Sequence, residues 1–164
     1  MAPLFVLALG LGTAVVTDIR TRRIPNWLTA GMAAAGFGIA VGGGSVTPMQ
    51  ATLGMVVGLL LMLPGHVIGA TGAGDVKLMA AVGAVVGSGS ILRVFLYTAI
   101  AGGVFAIFIA VRRGRLHQTV YDTTKLVTAP AAARVVIEAS SRANRFAYGP
   151  AIAAGTLISL AVKS

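Results

Sequence analysis

Four carboxylate side chains are the only acidic groups in this sequence, and two of them adjoin apolar segments. Asp18 follows the first apolar run, and Asp75 precedes the fourth. A carboxylate at a membrane boundary is costly to desolvate, so its presence there indicates a function. Asp122 and Glu138 lie among basic residues in a polar segment, and we expect them to be solvated surface charges.

A pair of aspartates in a low-dielectric pocket can hydrolyse a peptide bond without a metal or a cofactor. Two carboxyl groups that lie close together cannot both ionise easily, so one of them retains a proton. The charged carboxylate activates a water molecule, while the neutral one protonates or polarises the scissile carbonyl. We therefore predict that Asp18 and Asp75 are the catalytic residues of an aspartic endopeptidase, with no metal site and no cofactor.

Each aspartate also has a structural interpretation. Asp18 could set the membrane topology by pairing with Arg20 or Arg22, and Asp75 could cap the N-terminus of the fourth helix. A small transporter or assembly subunit, in which carboxylates move protons or ions, is the alternative function. Transporter sites lie near the bilayer midplane, whereas both aspartates lie at one edge of the apolar segments.

Glycines precede Asp75 in the stretch GATGAGDVKL, residues 69–78. Gly72 and Gly74 permit close approaches that a Cβ atom would block, so a peptide substrate or a neighbouring helix could come near Asp75. The stretch also has the glycine spacing of a phosphate-binding loop, but Asp75 stands where such a loop has its lysine. A negative charge there would repel phosphate, which excludes a nucleotide site.

Three further residues are predicted to shape the site. Pro25 fixes the turn into the second apolar segment, and Asn26 is suited to capping that helix. Lys77 could stabilise the ionised form of Asp75, or it could anchor the chain by extending to the lipid headgroups. His66, near the end of the third segment, is more typical of a helix-end polar contact than of a catalyst.

The composition requires that much of the protein surface faces something other than water. Of the 164 residues 57% are hydrophobic and 10% are charged, whereas a soluble domain has about 25% charged residues. Continuous apolar runs predict an all-α polytopic membrane protein, a single domain over residues 1–164 with a bundle of about six transmembrane helices. The runs are residues 2–17, 27–41, 49–70, 76–86, 91–111 and 150–162.

Two of these segments leave alternatives open. The fourth is short enough to be re-entrant, although the GSGS turn at residues 87–90 favours a short helix packed tightly against the fifth. The first lacks the basic residues of a signal peptide, so we expect it to be a retained span.

The distribution of basic residues predicts an orientation. Eleven of them lie in the first-to-second, third-to-fourth and fifth-to-sixth connections, and two lie on the opposite side. The positive-inside bias places the eleven in the cytoplasm and both termini outside. The net charge of +9 therefore matches anionic membrane lipid and not nucleic acid, because the basic residues flank apolar runs.

Within the polar loop at about residues 112–148, residues 133–146 form either a surface helix or a flexible linker.

Three stretches in this order resemble the signature regions of prepilin peptidases: DIRTRRIPN at residues 18–26, GAGDVKL at 72–78 and FAYGPAIAAG at 146–155. These type IV leader peptidases are membrane aspartic proteases of the GxGD class. The resemblance implies that Asp18 and Asp75 are the catalytic pair and face the cytoplasm. It also implies a location in the bacterial inner membrane and prepilin substrates whose short basic leader is removed. The turn at residues 148–150 is expected to start the sixth span, to aim it at the site and to support the site structurally.

The same resemblance indicates whether N-methyltransferase activity is to be expected. Larger family members carry an extra cytoplasmic domain with paired cysteines between the first spans, which methylates the new pilin N-terminus. Here a short connection, residues 18–26, follows the first span, and the sequence has no cysteine. We therefore expect no N-methyltransferase activity and a peptidase-only protein similar to those of Flp/Tad pilus systems, acting on Flp-type or other type IV pilin-like substrates. Archaeal preflagellin peptidases are close relatives.

Overall fold

The computed structural model describes residues 1–67, 69, 71–112 and 148–163. The prediction of an all-α bundle is confirmed, since these ranges contain helices and no strand. Three stretches are long and apolar enough to cross a membrane: Ala2–Thr21, Pro48–Val67 and Ser88–Phe108. The helices are α1 (Ala2–Thr21), α2 (Asn26–Val41), α3 (Pro48–Val67), α4 (Ala73–Val86), α5 (Ser88–Arg112) and α6 (Gly149–Lys163). The predicted surface helix or linker at 133–146, with Asp122 and Glu138, lies outside the described residues.

Helix α1 continues one turn beyond its predicted end at Thr17, so Asp18 lies inside the helix and does not follow it. The helix closes where the Arg22 N–H donates to the Asp18 carbonyl oxygen at 2.8 Å and Arg22 takes a left-handed φ of 51°. Helical hydrogen bonds do not require apolar side chains, which is why the polar residues after Thr17 extend the helix. The connection to α2 is therefore only residues 22–25.

The predicted capping role of Asn26 is wrong. Pro25 occupies the N-cap position, Asn26 is the first helical residue, and no side chain caps α2. The Pro25 carbonyl oxygen accepts hydrogen bonds from the N–H groups of Leu28 and Thr29, at 3.1 and 3.4 Å. The fixed φ of proline and its carbonyl thus start the helix. The Asn26 side chain instead accepts a hydrogen bond from Lys77.

Helices α3 and α4 touch through their backbones at three glycines, Gly54, Gly58 and Gly83, which we call the glycine seam. A Cβ atom at Gly58 would lie 2.6 Å from the carbonyl oxygen of Met79. A Cβ atom at Gly54 would overlap the carbonyl oxygen of Gly83, and the reverse is also true. Small residues four apart let membrane helices approach this closely, so the seam fixes α4 against α3.

Helix α4 is the buried centre of the bundle. Leu78, Met79 and Val82 are fully buried, whereas the outer faces of α1, α3 and α5 expose large apolar side chains such as Phe5 and Leu92. Its 14 residues span about 21 Å, less than the roughly 30 Å of a hydrocarbon core. A helix this short and apolar is stable here because its neighbours surround it.

The sequence predicts that the fourth helix packs tightly against the fifth, and the structure corrects this prediction. Helix α4 contacts α5, but its most extensive contacts are with α3 and α2. A single residue, Gly87, connects α4 to α5 with a φ of 75°, a conformation that favours glycine. This sharp turn leads α5 away from α4, and α5 packs chiefly against α6 and α3.

Candidate active site

Asp18 lies in the last turn of α1 and is only 6% exposed. The N–H of Gly149, the first residue of α6, donates a hydrogen bond to its Oδ2 at 2.8 Å. A hydrogen bond from a helix N-terminus favours negative charge on the acceptor. Asp18 is therefore held by a residue 131 positions away, at the point where α6 begins.

Asp75 lies in the first turn of α4 and is 7% exposed. Its Oδ2 accepts a hydrogen bond from the Gly72 N–H at 2.9 Å. Gly72 is the N-cap residue and has no side chain, so only this half of a capping box can form. The capping interpretation of Asp75 thus holds in a modified form, because the carboxylate binds the start of α4 from the third helical position.

Tyr148 lies within range of the charge of Asp75. It directly precedes Gly149 and is partly buried. Burial raises the pKa of its phenol, and the negative charge of Asp75 raises it further. One residue therefore lies near Asp75 while the next binds Asp18. Helices α1 and α4 also contact each other directly, as a pairing of the two aspartates requires.

The turn between α1 and α2 packs against the start of α4. Ile24 is buried, and a Cβ atom at Gly74 would lie 3.1 Å from the Cβ of Ile24. Gly74 therefore accommodates a neighbouring segment of this chain. Pro25 follows Ile24, and the Lys77 Nζ donates to the Oδ1 of Asn26 at 2.9 Å. The predicted residues Pro25, Asn26, Gly74 and Lys77 thus meet beside the start of α4.

Comparison with models of known protein families identifies the family of this chain. The model of the type IV leader peptidase family matches residues 5–107, more than half of the chain. The chain belongs to this family. The match extends from α1 to α5 and includes both aspartates, while α6 lies beyond it. Comparison with curated proteins and with solved structures finds no match. Membership implies a peptidase with prepilin-type substrates, and the apolar helices indicate a membrane protein.

His66 of this leader peptidase makes the helix-end contact that its position suggested. Its Nδ1 lies 3.1 Å from the carbonyl oxygen of Thr71, so the ring closes the connection between α3 and α4. Among the described residues, no three His, Cys, Asp or Glu side chains cluster in a way that could hold a metal ion. The two aspartates and their backbone hydrogen-bond donors are the candidate functional groups at this end of the described bundle.

Two residues of the candidate site were predicted as structural support and not as site residues. The turn with Tyr148 and Gly149 was expected to start the sixth span, aim it at the site and support it, yet the Gly149 N–H donates directly to Asp18 and Tyr148 lies within range of the charge of Asp75. One signal was present, since Pro150 marks the first turn of a helix and leaves the preceding N–H groups pointing out of it. Nothing local indicated which side chain would accept from them.

Proposed function

We propose that this leader peptidase is an aspartic endopeptidase that removes the short basic leader from prepilins at the cytoplasmic face of the membrane. The observation that carries the proposal is the Tyr148–Gly149 segment, which lies near Asp75 at one residue and binds Asp18 at the next. Two buried carboxyl groups on helices that contact each other support acid–base hydrolysis of a peptide bond.

The two carboxyl groups divide the roles of acid and base. The ionised one takes a proton from a water molecule, whose oxygen attacks the carbonyl carbon of the scissile peptide bond. The neutral one donates its proton to the carbonyl oxygen, giving a tetrahedral intermediate. When this collapses, the carboxyl group that took the water proton donates it to the leaving nitrogen, the other takes a proton back from a hydroxyl of the intermediate, and the C–N bond breaks as the carbonyl reforms. Burial of both groups strengthens these electrostatic interactions.

Backbone hydrogen bonds orient the pair. Oδ2 of Asp18 accepts from Gly149, and Oδ2 of Asp75 accepts from Gly72. Backbone donors are fixed by the helices that begin at them, so each carboxyl group has little rotational freedom. Fixed orientation of reacting groups lowers the entropic part of the barrier.

Charge supports the cytoplasmic placement of this site. Arg20, Arg22 and Arg23 are exposed at the end of α1, and Lys77 is exposed beside them. Basic residues concentrate on the cytoplasmic side of membrane proteins, here the bacterial inner membrane. The connection at residues 22–25 is too short for a domain between the first two helices, so we expect peptidase activity without N-methylation, as in Flp/Tad systems.

Replacing either aspartate tests the proposal. We expect Asp18→Asn and Asp75→Asn each to reduce leader removal by at least about 10³-fold, because an amide can act neither as base nor as acid. The nearly isosteric change leaves membrane insertion intact. The measurement is the ratio of mature to precursor pilin in cells that express a Flp-type prepilin with each variant, at matched enzyme levels in the membrane.

Asp122→Asn is the matched control, since it makes the same chemical change in the polar loop and should process normally. Normal processing by either Asp18→Asn or Asp75→Asn would remove that residue from the catalytic pair. If both variants process normally, the chain is not an aspartic peptidase, and a transport role for these carboxylates becomes the better hypothesis.

A further inference from the structure

We propose that the Tyr148–Gly149 segment is a positioning element of this site, in which Gly149 holds the Asp18 carboxylate and Tyr148, seated against Gly102 of α5, fixes the start of α6 that carries Gly149. The inference rests on the proposed aspartic peptidase function. It assigns a role to the start of α6, which lies beyond the residues matched by the family.

Gly149 meets Asp18 in two ways. Its N–H donates to Oδ2 at 2.8 Å in a buried hydrogen bond. A Cβ atom at this position would lie 2.8 Å from Oδ2, 3.2 Å from the Asp18 Cβ and 3.3 Å from its Cγ. Three simultaneous contacts of this kind leave no room for a side chain unless the carboxylate moves. Glycine is therefore required here for the space that the carboxylate occupies.

Tyr148 is seated by a second glycine. A Cβ atom at Gly102 in α5 would lie 2.7 Å from the Tyr148 hydroxyl oxygen and 3.0 Å from Cζ. The missing side chain of Gly102 thus provides the space for the phenol. Because burial and the charge of Asp75 both raise its pKa, the phenol stays neutral at physiological pH. It can lie beside an ionised carboxylate without repelling it.

The start of α6 is held by its packing against α5. Helix α6 packs along α5, where Gly155 lies against the backbone and hydroxyl of Thr98. Ile152 is fully buried, and its N–H donates to the Tyr148 carbonyl oxygen at 3.1 Å. The position of α5 therefore sets the position of the Gly149 N–H and, through it, of the Asp18 carboxyl group.

Gly149→Ala tests the Asp18 side of the proposal. We expect kcat to fall about 10²-fold, the loss that follows a displacement of roughly 1 Å in a reacting group. KM for the prepilin should stay within about twofold, because the variant moves a reacting group and leaves substrate contacts in place. A general loss of structure would instead lower the amount of folded enzyme, so kcat is measured per folded enzyme in detergent.

Gly12→Ala is the matched control. It adds the same methyl group to α1, the helix that carries Asp18, at a position with no other atom within 4 Å, and it should keep the kcat of the unmodified protein. Unchanged kcat in Gly149→Ala, when Asp18→Asn is inactive, would overturn the positioning role of Gly149. Full activity of Asp18→Asn would instead overturn the proposed function itself.

A second pair of variants, in α5, tests the inference even if Gly149→Ala does not fold. Gly102→Ala should displace the Tyr148 phenol and lower kcat about tenfold at constant KM, because a smaller shift reaches the Asp18 carboxyl group. Gly103→Ala, one residue further along α5, meets no atom within 4 Å and should change neither constant. Equal kcat for the two variants would overturn the positioning role of Tyr148.

Discussion

Glycines do different work in two regions of this molecule. In the glycine seam, Gly54 and Gly83 let the backbones of α3 and α4 touch, and the neighbour that would be displaced is another backbone. At the site, Gly72 and Gly149 leave room for the carboxyl groups of Asp75 and Asp18. A helix backbone cannot yield, whereas a carboxyl group can be forced out of its hydrogen bond. Substitutions in the seam should therefore cost stability, and substitutions at the site should cost activity.

The largest effect on stability should come from the seam. Gly83→Ala would place a methyl group on the carbonyl oxygen of Gly54, so α3 and α4 must separate. Overpacking of this kind costs about 1–3 kcal/mol in free energy of unfolding. Denaturation in mixed micelles measures it, with Gly38→Ala, which meets no atom within 4 Å, as the control. Equal stability of the two variants would contradict the backbone contact.

A smaller effect, on rate alone, is expected from Gly72→Ala. Its Cβ atom would lie 3.1 Å from the Oδ2 of Asp75, tight enough to turn the carboxyl group. We expect kcat to fall about tenfold, since the shift is less than that of a whole ångström. The measurement is the turnover of purified prepilin by folded enzyme. A loss of stability without a loss of kcat would place Gly72 with the seam glycines.

Gly74→Ala provides the contrast on the same turn. Its Cβ atom would also lie 3.1 Å from a neighbour, but that neighbour is the apolar Cβ of Ile24. The gain in helix propensity, about 1 kcal/mol, should offset most of the crowding. Stability should thus change by less than about 1 kcal/mol and kcat by less than about twofold. A fall in kcat equal to that of Gly72→Ala would mean that the turn itself positions Asp75.

The smallest effect should follow from breaking the contact between Lys77 and Asn26. This hydrogen bond is exposed, so Lys77→Ala and Asn26→Ala should each lower the free energy of unfolding by about 0.5 kcal/mol. The two variants should also have similar, slightly reduced turnover. A much lower kcat in Lys77→Ala than in Asn26→Ala would show that the lysine charge acts on Asp75 directly.

The six helices of the described residues could be predicted from the sequence because continuous apolar runs mark the segments that must be buried or face lipid. Their ends were harder to place. The prediction ended the first helix at Thr17, where apolar residues stop, but backbone hydrogen bonding continues to Thr21. Asn26 was predicted to cap α2, yet the carbonyl of Pro25 starts that helix and the Asn26 side chain binds Lys77.

The candidate site was only partly accessible to sequence reasoning. Asp18 and Asp75 stood out because charged residues are rare in apolar segments. The contact between Gly149 and Asp18 joins residues 131 positions apart, and no local pattern specifies which helices become neighbours. Glycine adds a further ambiguity, because the sequence does not show what each glycine will contact. Gly54 in the seam lies against a backbone carbonyl, whereas Gly149 lies against a carboxyl group.

The shortness of α4 links the site to the thickness of the membrane. A helix of 14 residues cannot reach both surfaces of a bilayer, and Asp75 lies in its first turn. When the surrounding lipid has longer acyl chains, the longer outer helices tilt or the bilayer deforms to match them, while α4 keeps its length. On the proposed function, Asp75 then lies deeper below the headgroups and farther from a leader peptide in the aqueous phase. Cleavage should therefore slow in vesicles of longer-chain lipids, with lipid thickness acting as a control on access.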